Sequence, residues 1–265
     1  MKLDKVILAA DDNPAYLQLW PLVACFWKVR IGVEPVLLHV TKVVAEPKIT
    51  EPGVYALPLV PGLPSGFQSQ IARLYGPLLF PDDVCILSDI DMLPLSKSYY
   101  HDAVAGLDDD SVVVFSADAY ESRREVTYPM CYVAGRGAIL TAAFGVEEDF
   151  ASFARRLARF DWGWSTDELY MSQAIARSEH QKRVLLRRGW HKGVAHRRLD
   201  RTRWSYDPAL ASADYYVDSH LPRPIDQHLD SVTALVRDYG RQQPPIGECL
   251  DRFLSQIVRT SYDPC

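Results

Sequence analysis

Residues 1–40 read strand, helix, strand, and that order leaves few folds open. Val6-Ile7-Leu8-Ala9-Ala10 is a short apolar run that stops at Asp11-Asp12-Asn13. Pro14 follows, at the first-turn position proline favours, with Asn13 as a cap, and a helix is expected over 14–30. Val36-Leu37-Leu38-His39-Val40 is a second strand. Strands separated by a helical crossover become parallel neighbours, so the chain reads as an α/β protein. With 265 residues, 48% of them hydrophobic, it suits one large domain that buries a sizeable core.

The rest of the chain continues this alternation. Residues 46–66 are rich in proline and glycine and include a third strand over 55–60. A helix is expected over 65–75, with apolar residues at 67, 71, 74 and 78, ended by Pro81. Strands follow over 84–87 and 112–115. Residues 128–140 alternate loosely around Gly135 and Gly137. Amphipathic helices are expected over 147–160 and 166–176, the latter capped by Ser165 or Thr166. A strand over 183–186 and a late strand over 215–217 run towards Asp218-Ser219-His220. A helix begins after Asp226, Pro244-Pro245 interrupts, and a last amphipathic helix covers 248–258. Residues 226–265 form a helical extension packed on a domain of residues 1–225.

The net charge of −5 argues against a nucleic-acid surface as the main business. One basic region stands apart, from Gln181-Lys182-Arg183 through His196-Arg197-Arg198 to Arg203. It is either a solvated face or a loop that closes over a leaving diphosphate, with His196, Arg197, Arg198 and Arg201 as its candidates. The five cysteines are widely spaced and include no C-x-x-C pair. Cys25 and Cys85 lie in apolar segments and read as small buried hydrophobes, so a reducing, cytoplasmic setting is expected. No 18-residue apolar span exists, which predicts no transmembrane helix. Met1-Lys2 leads straight into the first strand rather than into a signal peptide.

The stretch that carries chemistry is Ser88-Asp89-Ile90-Asp91, directly after the apolar run Val84-Cys85-Ile86-Leu87. Two carboxylates here leave the sheet at a strand's carboxyl end, where open α/β proteins keep their ligand crevice. Like charges this close repel unless a cation sits between them. Oxygen ligands suit Mg²⁺ or Mn²⁺, and such an ion suits a phosphate. The plainer reading is a solvated Asp-x-Asp turn.

The run from Arg73 through Gly76-Pro77-Leu78-Leu79-Phe80-Pro81 to Asp89-Ile90-Asp91 resembles the GT-A glycosyltransferases, in particular the glycogenin- and galactosyltransferase-like branch. That resemblance, over about residues 5–224, implies a three-layer α/β/α fold with a mixed, mostly parallel central sheet. It implies transfer of a sugar from a nucleoside diphosphate sugar, a UDP-sugar first, to a carbohydrate hydroxyl. Asp89 and Asp91 match the family's metal-binding DxD pair, and His220 matches its late metal histidine. Arg73 matches the helix arginine beside the donor. Ala10, Asp11 and Asp12 lie at the nucleoside pocket, Ser88 lies beside the DxD pair, and Gly135 resembles the small-residue turn beside the sugar. Asp167 and Glu168 resemble the acidic pair on the acceptor side. Strand one lacks a strong nucleoside signature and Ser88 departs from the usual residue, which leaves the base open.

Each of these residues also has a plainer role. His220 could cap a loop at a strand end. As a ligand, its neutral imidazole favours Mn²⁺ over Mg²⁺. Asp167 and Glu168 could be first-turn acids favoured by the helix dipole; functionally, one would be a general base or position the sugar. Phe160, Trp162 and Trp164 could be core or could stack on sugar rings. Asp118 and Arg123 follow the strand over 112–115 and are candidates to touch the donor sugar. A nucleotidyltransferase is the alternative enzyme, but it wants a Gly-rich phosphate loop where Asp11-Asp12-Asn13-Pro14 stands. A non-catalytic nucleotide- or glycan-binding module is the alternative outside enzymes.

Overall fold

A computed structural model describes residues 1–123, 125–178, 182–194 and 197–261. Gln181 and His196, named above, lie outside the described residues. The chain divides into two compact units: one of residues 1–12, 35–89 and 101–195, the other of residues 13–34, 90–100 and 196–265.

The described strands, in chain order, are β1 (Lys5–Asp11), β2 (Glu34–Thr41), β3 (Lys48–Glu51), β4 (Val54–Pro58), β5 (Val84–Leu87), β6 (Met92–Pro94), β7 (Ser111–Val114), β8 (Val133–Arg136), β9 (Lys182–Leu185), β10 (Arg198–Leu199) and β11 (Asp218–His220). The first unit holds an eight-stranded sheet in the order β3-β4-β2-β1-β5-β8-β7-β9. β1 and β5 run parallel, and β8 runs against both β5 and β7. β7 and β9 run parallel, as do β2 and β4, and β3 runs against β4. Among the pairings described, β3 and β8 oppose their neighbours, and the expected mixed, mostly parallel α/β sheet is present.

Parallel strands need apolar side chains on both faces. Val84–Leu87 and Ser111–Val114 are buried along their whole length. Four helices belong to this unit: Ser65–Tyr75, Gly137–Phe144, Phe150–Ala158 and Thr166–Arg177. Their apolar side chains, among them Ile71, Leu74, Leu140, Phe144, Phe153 and Ile175, join the sheet's Ile7, Leu38, Leu87 and Val114 in one core. The helix expected over 147–160 is shorter at both ends. Asp149 caps it by accepting from Ser152 N at 3.0 Å.

In the second unit, β11 runs parallel to β10 and antiparallel to β6. The helix expected over 14–30 comes in three pieces: Pro14–Leu17, Trp20–Cys25 and a π-helical Phe26–Ile31. Pro21, lacking an N–H, sits in the first turn of the second piece and forces the restart. Asn13 caps the first piece through Ala15 N at 3.0 Å, as expected. Pro244 and Pro245 fall between two helices, as expected, and themselves open the second, Pro244–Ser261, because the first turn has no use for their N–H groups. The late strand is Asp218–His220; residues 215–217 are not part of it.

One expectation is overturned. Cys25 is not a free buried thiol: it forms a disulfide with Cys249, with Cα atoms 6.4 Å apart. Spacing could not reveal a bridge between residues 224 apart, and it removes the ground for expecting a reducing setting. Cys85 is a buried free thiol as expected, and burial, with the charge of Asp83, pushes its pKa up to about 12. No helix among the described residues is long and apolar enough to cross a membrane.

Alkylation and peptide mapping of the unfolded, unreduced chain is expected to find Cys25 and Cys249 blocked and Cys85 and Cys131 free. Cys249→Ser is expected to lose about 2–4 kcal/mol of stability, read as a fall in the urea midpoint. Alkylation of Cys25 and Cys249 in the unreduced chain would show that the bridge does not form.

Candidate functional site

In the first unit the predicted residues gather at the carboxyl ends of β1 and β5, which lie side by side. Ser88 N extends that pairing, donating to Ile7 O at 3.1 Å. Ala10 and Asp11 are buried at the end of β1. Asp11 accepts a hydrogen bond from Ser65 Oγ at 2.7 Å, which ties it to the start of the helix Ser65–Tyr75. Asp12 lies 2.8 Å from His39 Nε2 and accepts from Thr41 Oγ1 at 3.1 Å, both on β2. His39, Thr41 and Ser65 were not anticipated. A lone histidine inside the apolar strand 36–40 was the one available signal.

The same helix carries Arg73, and Gln68 fixes how it sits. Buried Gln68 accepts from Val60 N at 2.8 Å and donates to Val60 O at 3.0 Å and Leu63 O at 2.8 Å. Arg73 is itself buried. One of its terminal nitrogens lies against Asp89 and the other pairs with Asp167 at 2.7 Å. Asp167 is 2% exposed, so this guanidinium balances charge that water cannot reach.

Glu168, next in the chain, is held differently. Tyr120 donates its hydroxyl to Oε1 at 3.0 Å, and Arg123 lies 3.9 Å from Oε2. Burial, then the charge of Asp167, raises the Glu168 carboxyl above the ordinary value. Tyr120 is also raised, by burial and by Glu168, so its hydroxyl stays a donor. Arg123 stacks over the Tyr120 ring at 4.0 Å. Arg73, Asp89, Asp167, Glu168, Tyr120 and Arg123 thus form one network.

Asp118 stands apart from that network in its pairing. It follows Ser116, whose φ of 52° lies in the left-handed region. Its carboxylate accepts from Arg188 N at 2.6 Å and faces the guanidiniums of Arg188 and Arg187 at 3.7 and 3.9 Å. Burial opposes its charge, but these partners outweigh burial and hold the carboxyl below its ordinary range. Gly135 is not brought to the strand ends. It pairs with Cys85 and Val112 in mid-sheet, where an added Cβ would come 3.0 Å from Ser111 O. Close packing accounts for this glycine.

In the second unit, strand register delivers the late histidine. β11 pairs antiparallel with β6 so that His220 stands opposite Met92, and Leu221 N donates to Asp91 O at 2.9 Å. His220 Nε2 therefore lies 3.3 Å from Asp91 Oδ2. Arg201 and Arg223 approach the same oxygen at 3.3 and 3.5 Å. Burial opposes the charge on Asp91, but the His220 hydrogen bond and charge, with Arg223, hold the carboxyl below its ordinary value. Arg223 also stacks over Tyr16 at 4.4 Å.

The other basic candidates have structural partners. Arg198 grips Asp218 with two hydrogen bonds, of 2.7 and 2.9 Å. Arg197 is buried and donates to Asp214 O. Arg201 alone of the three reaches a predicted ligand, and Arg223, outside the basic stretch, was missed.

Asp91 and His220 form an oxygen–nitrogen pair of the type Mn²⁺ accepts. Asp89 turns its carboxylate to Arg73. Among the described residues, no three His, Cys, Asp or Glu side chains gather as a metal-holding group. A cavity of about 300 Å³ lies in the first unit, lined by Phe144, Phe160, Tyr170, Gln173 and Arg177 among others. Of the candidates read from the sequence, the aromatic Phe160 lines it, and none of the acidic candidates does.

No family model matches the chain, and no curated protein matches it. Among solved structures it is similar to the galactosyltransferase LgtC, solved with donor and acceptor sugar analogues. That likeness has 14% identity over 83% of this chain and 87% of that one, with a TM-score of 0.45. It is similar to the glycosyltransferase GlyE of Streptococcus pneumoniae TIGR4, with 12% identity over 97% of this chain and 64% of that one, and a TM-score of 0.46. It is also similar to 4-diphosphocytidyl-2C-methyl-D-erythritol synthase, with 13% identity over 80% and 97% of the two chains and a TM-score of 0.34. At such scores these likenesses carry no argument about function.

Glu168 yields a pH prediction. Its folded-state pKa is raised, so its contribution to stability is fully present below the ordinary glutamate pKa and is lost as pH rises through the folded value. Glu168→Gln keeps an acceptor for Tyr120 without the charge. It is expected to raise Tm by a few degrees at pH 7, with the gain shrinking towards pH 4, as measured by calorimetry. A lower Tm at pH 7 would contradict the raised value.

Proposed function

We propose that this chain transfers a sugar from a nucleoside diphosphate sugar, a UDP-sugar first among them, to a hydroxyl of a carbohydrate acceptor. The best support is the meeting of Asp91 and His220. They stand 129 residues apart in the chain and 3.3 Å apart in space, and the family resemblance assigns both to one ion. Asp91 and His220 would hold Mn²⁺, whose chemistry is to neutralise charge on a leaving diphosphate. Arg201 and Arg223 crowd the carboxylate of Asp91 and would meet diphosphate oxygens as charge-assisted donors.

Asp167 and Glu168 divide the acid work. Asp167 is paired with Arg73, so its task is to fix the guanidinium that also holds Asp89. Glu168 binds its proton more tightly than an ordinary glutamate, which suits a group that takes the proton of the acceptor hydroxyl. In the step proposed, the acceptor oxygen bonds to the anomeric carbon, the bond from that carbon to the diphosphate oxygen breaks, and the hydroxyl proton passes to Glu168. Asp11, Asp12, His39 and Thr41 offer the carboxylates, imidazole and hydroxyl that a nucleoside would need.

A second reading has its own observation. Two guanidiniums on one Asp91 oxygen fit an anion site, so Arg201 and Arg223 would then hold the diphosphate without a metal. Incubation with a panel of nucleotide sugars separates the two. On the first reading, nucleoside diphosphate is released with Mn²⁺, the release stops with EDTA, and Asp91→Asn lowers kcat about a hundredfold or more. Full release in EDTA would favour the second reading. No release from any donor under either condition would remove both.

A further inference from the structure

The segment Phe160–Trp164, directly upstream of Asp167 and Glu168, has a feature that the donor chemistry leaves unused. Trp164 is 70% exposed, the most exposed large aromatic side chain among the described residues. A lone exposed apolar residue needs no explanation, but this one is held in place. Its carbonyl accepts from Gln70 Nε2 at 3.1 Å. The carbonyl of Gly163, just before it, accepts from Thr166 Oγ1 at 2.8 Å. One edge of its ring lies against Gly66, where an added Cβ would be 3.9 Å away. Gln70 and Gly66 belong to the helix that carries Arg73, and Thr166 opens the helix that carries Asp167 and Glu168. The backbone that carries the ring is therefore tied to both elements that build the charged network, and the ring itself rests on the first of them.

The backbone beside it is unusual as well. Asp161 and Gly163 both adopt left-handed φ values, 52° and 60°. For aspartate that conformation carries strain, which persists where the surroundings enforce it and tends to mark working sites. Between them, Trp162 stacks on Phe160 with ring centroids 4.5 Å apart and planes 25° apart. This pair leaves Trp164 as the ring with its face to solvent. A fixed indole presents a large apolar face with little entropy left to lose on binding. The apolar face of a pyranose ring, bearing axial C–H bonds, is its natural partner.

Resting on the glycosyl-transfer reading, we propose that Trp164 is the stacking platform for a pyranose ring of the acceptor, which makes the acceptor a saccharide rather than a protein side chain or a lipid hydroxyl. Two measurements test this. The first needs no turnover: the Trp164 indole N–H resonance, assigned by its loss in Trp164→Phe, is followed during titration with lactose, maltose and chitobiose. A saturable shift with at least one disaccharide is expected. The second compares variants with that disaccharide as acceptor. Trp164→Ala is expected to raise the acceptor KM about tenfold while kcat changes less than about twofold, and Trp164→Phe to restore KM to within about threefold of the parent. A resonance unmoved by all three sugars overturns the proposal, and so does an acceptor KM unchanged in Trp164→Ala. Absence of donor turnover would instead bring down the enzyme reading and leave the indole titration to decide this one.

Discussion

A buried guanidinium organises the first unit's chemistry. Arg73 is screened from water yet lies against Asp89 and Asp167 at once. Removing it would leave Asp167 as an uncompensated buried charge, which costs about 3–5 kcal/mol in comparable cases. Such an arrangement is a poor way to add stability, since well-packed apolar residues would do as well. It is a good way to fix positions, because a planar fork presents its donors in set directions. The helix that bears it is itself clamped by Gln68, whose amide closes three hydrogen bonds on the loop before it. Sheet end, helix and acid pair are thus brought into register by polar groups that cannot find water instead.

The two acids that follow each other at 167 and 168 meet different partners. Asp167 has an arginine and Glu168 has a tyrosine hydroxyl. A neutral donor in a buried place stabilises a charged carboxylate only weakly. Glu168 is therefore pushed towards its neutral form by burial and by the charge next door.

Much of the sheet was legible because parallel strands must be apolar throughout. Val6–Ala10, Val36–Val40, Val84–Leu87 and Val112–Phe115 announce themselves by composition. The hairpin strand Lys48–Glu51 did not, because all four residues are exposed and carry no alternation. Proline was legible at one place and missed at another. Pro21 breaks a helix expected to run unbroken over 14–30, while Pro244 and Pro245 separate two helices as expected and begin the second earlier than expected. The disulfide was invisible because pairing depends on three-dimensional proximity between the ends of the chain's second unit. Of the site, Asp91 and His220 were paired through the family resemblance, and they do meet. Their guanidinium neighbours were only half legible: Arg201 lay in the basic stretch, while Arg223 did not. Gly135 was read through its likeness to a turn, but its place is set by Ser111 and Leu140 packing against the strand.

The crowding at Asp91 is the remaining physical tension, and it points in one direction. One carboxylate oxygen faces an imidazole and two guanidiniums. One oxygen gives the two guanidiniums a single shared acceptor, so each keeps N–H donors for a further one. Asp200, close enough to His220 to feel its charge, adds a second carboxylate to the neighbourhood. On the proposed reading, a cation added alone would face both guanidiniums, whereas a cation arriving together with a diphosphate would bring net negative charge and acceptors for Arg201 and Arg223. That reading therefore favours joint binding of metal and nucleotide over binding of the metal first.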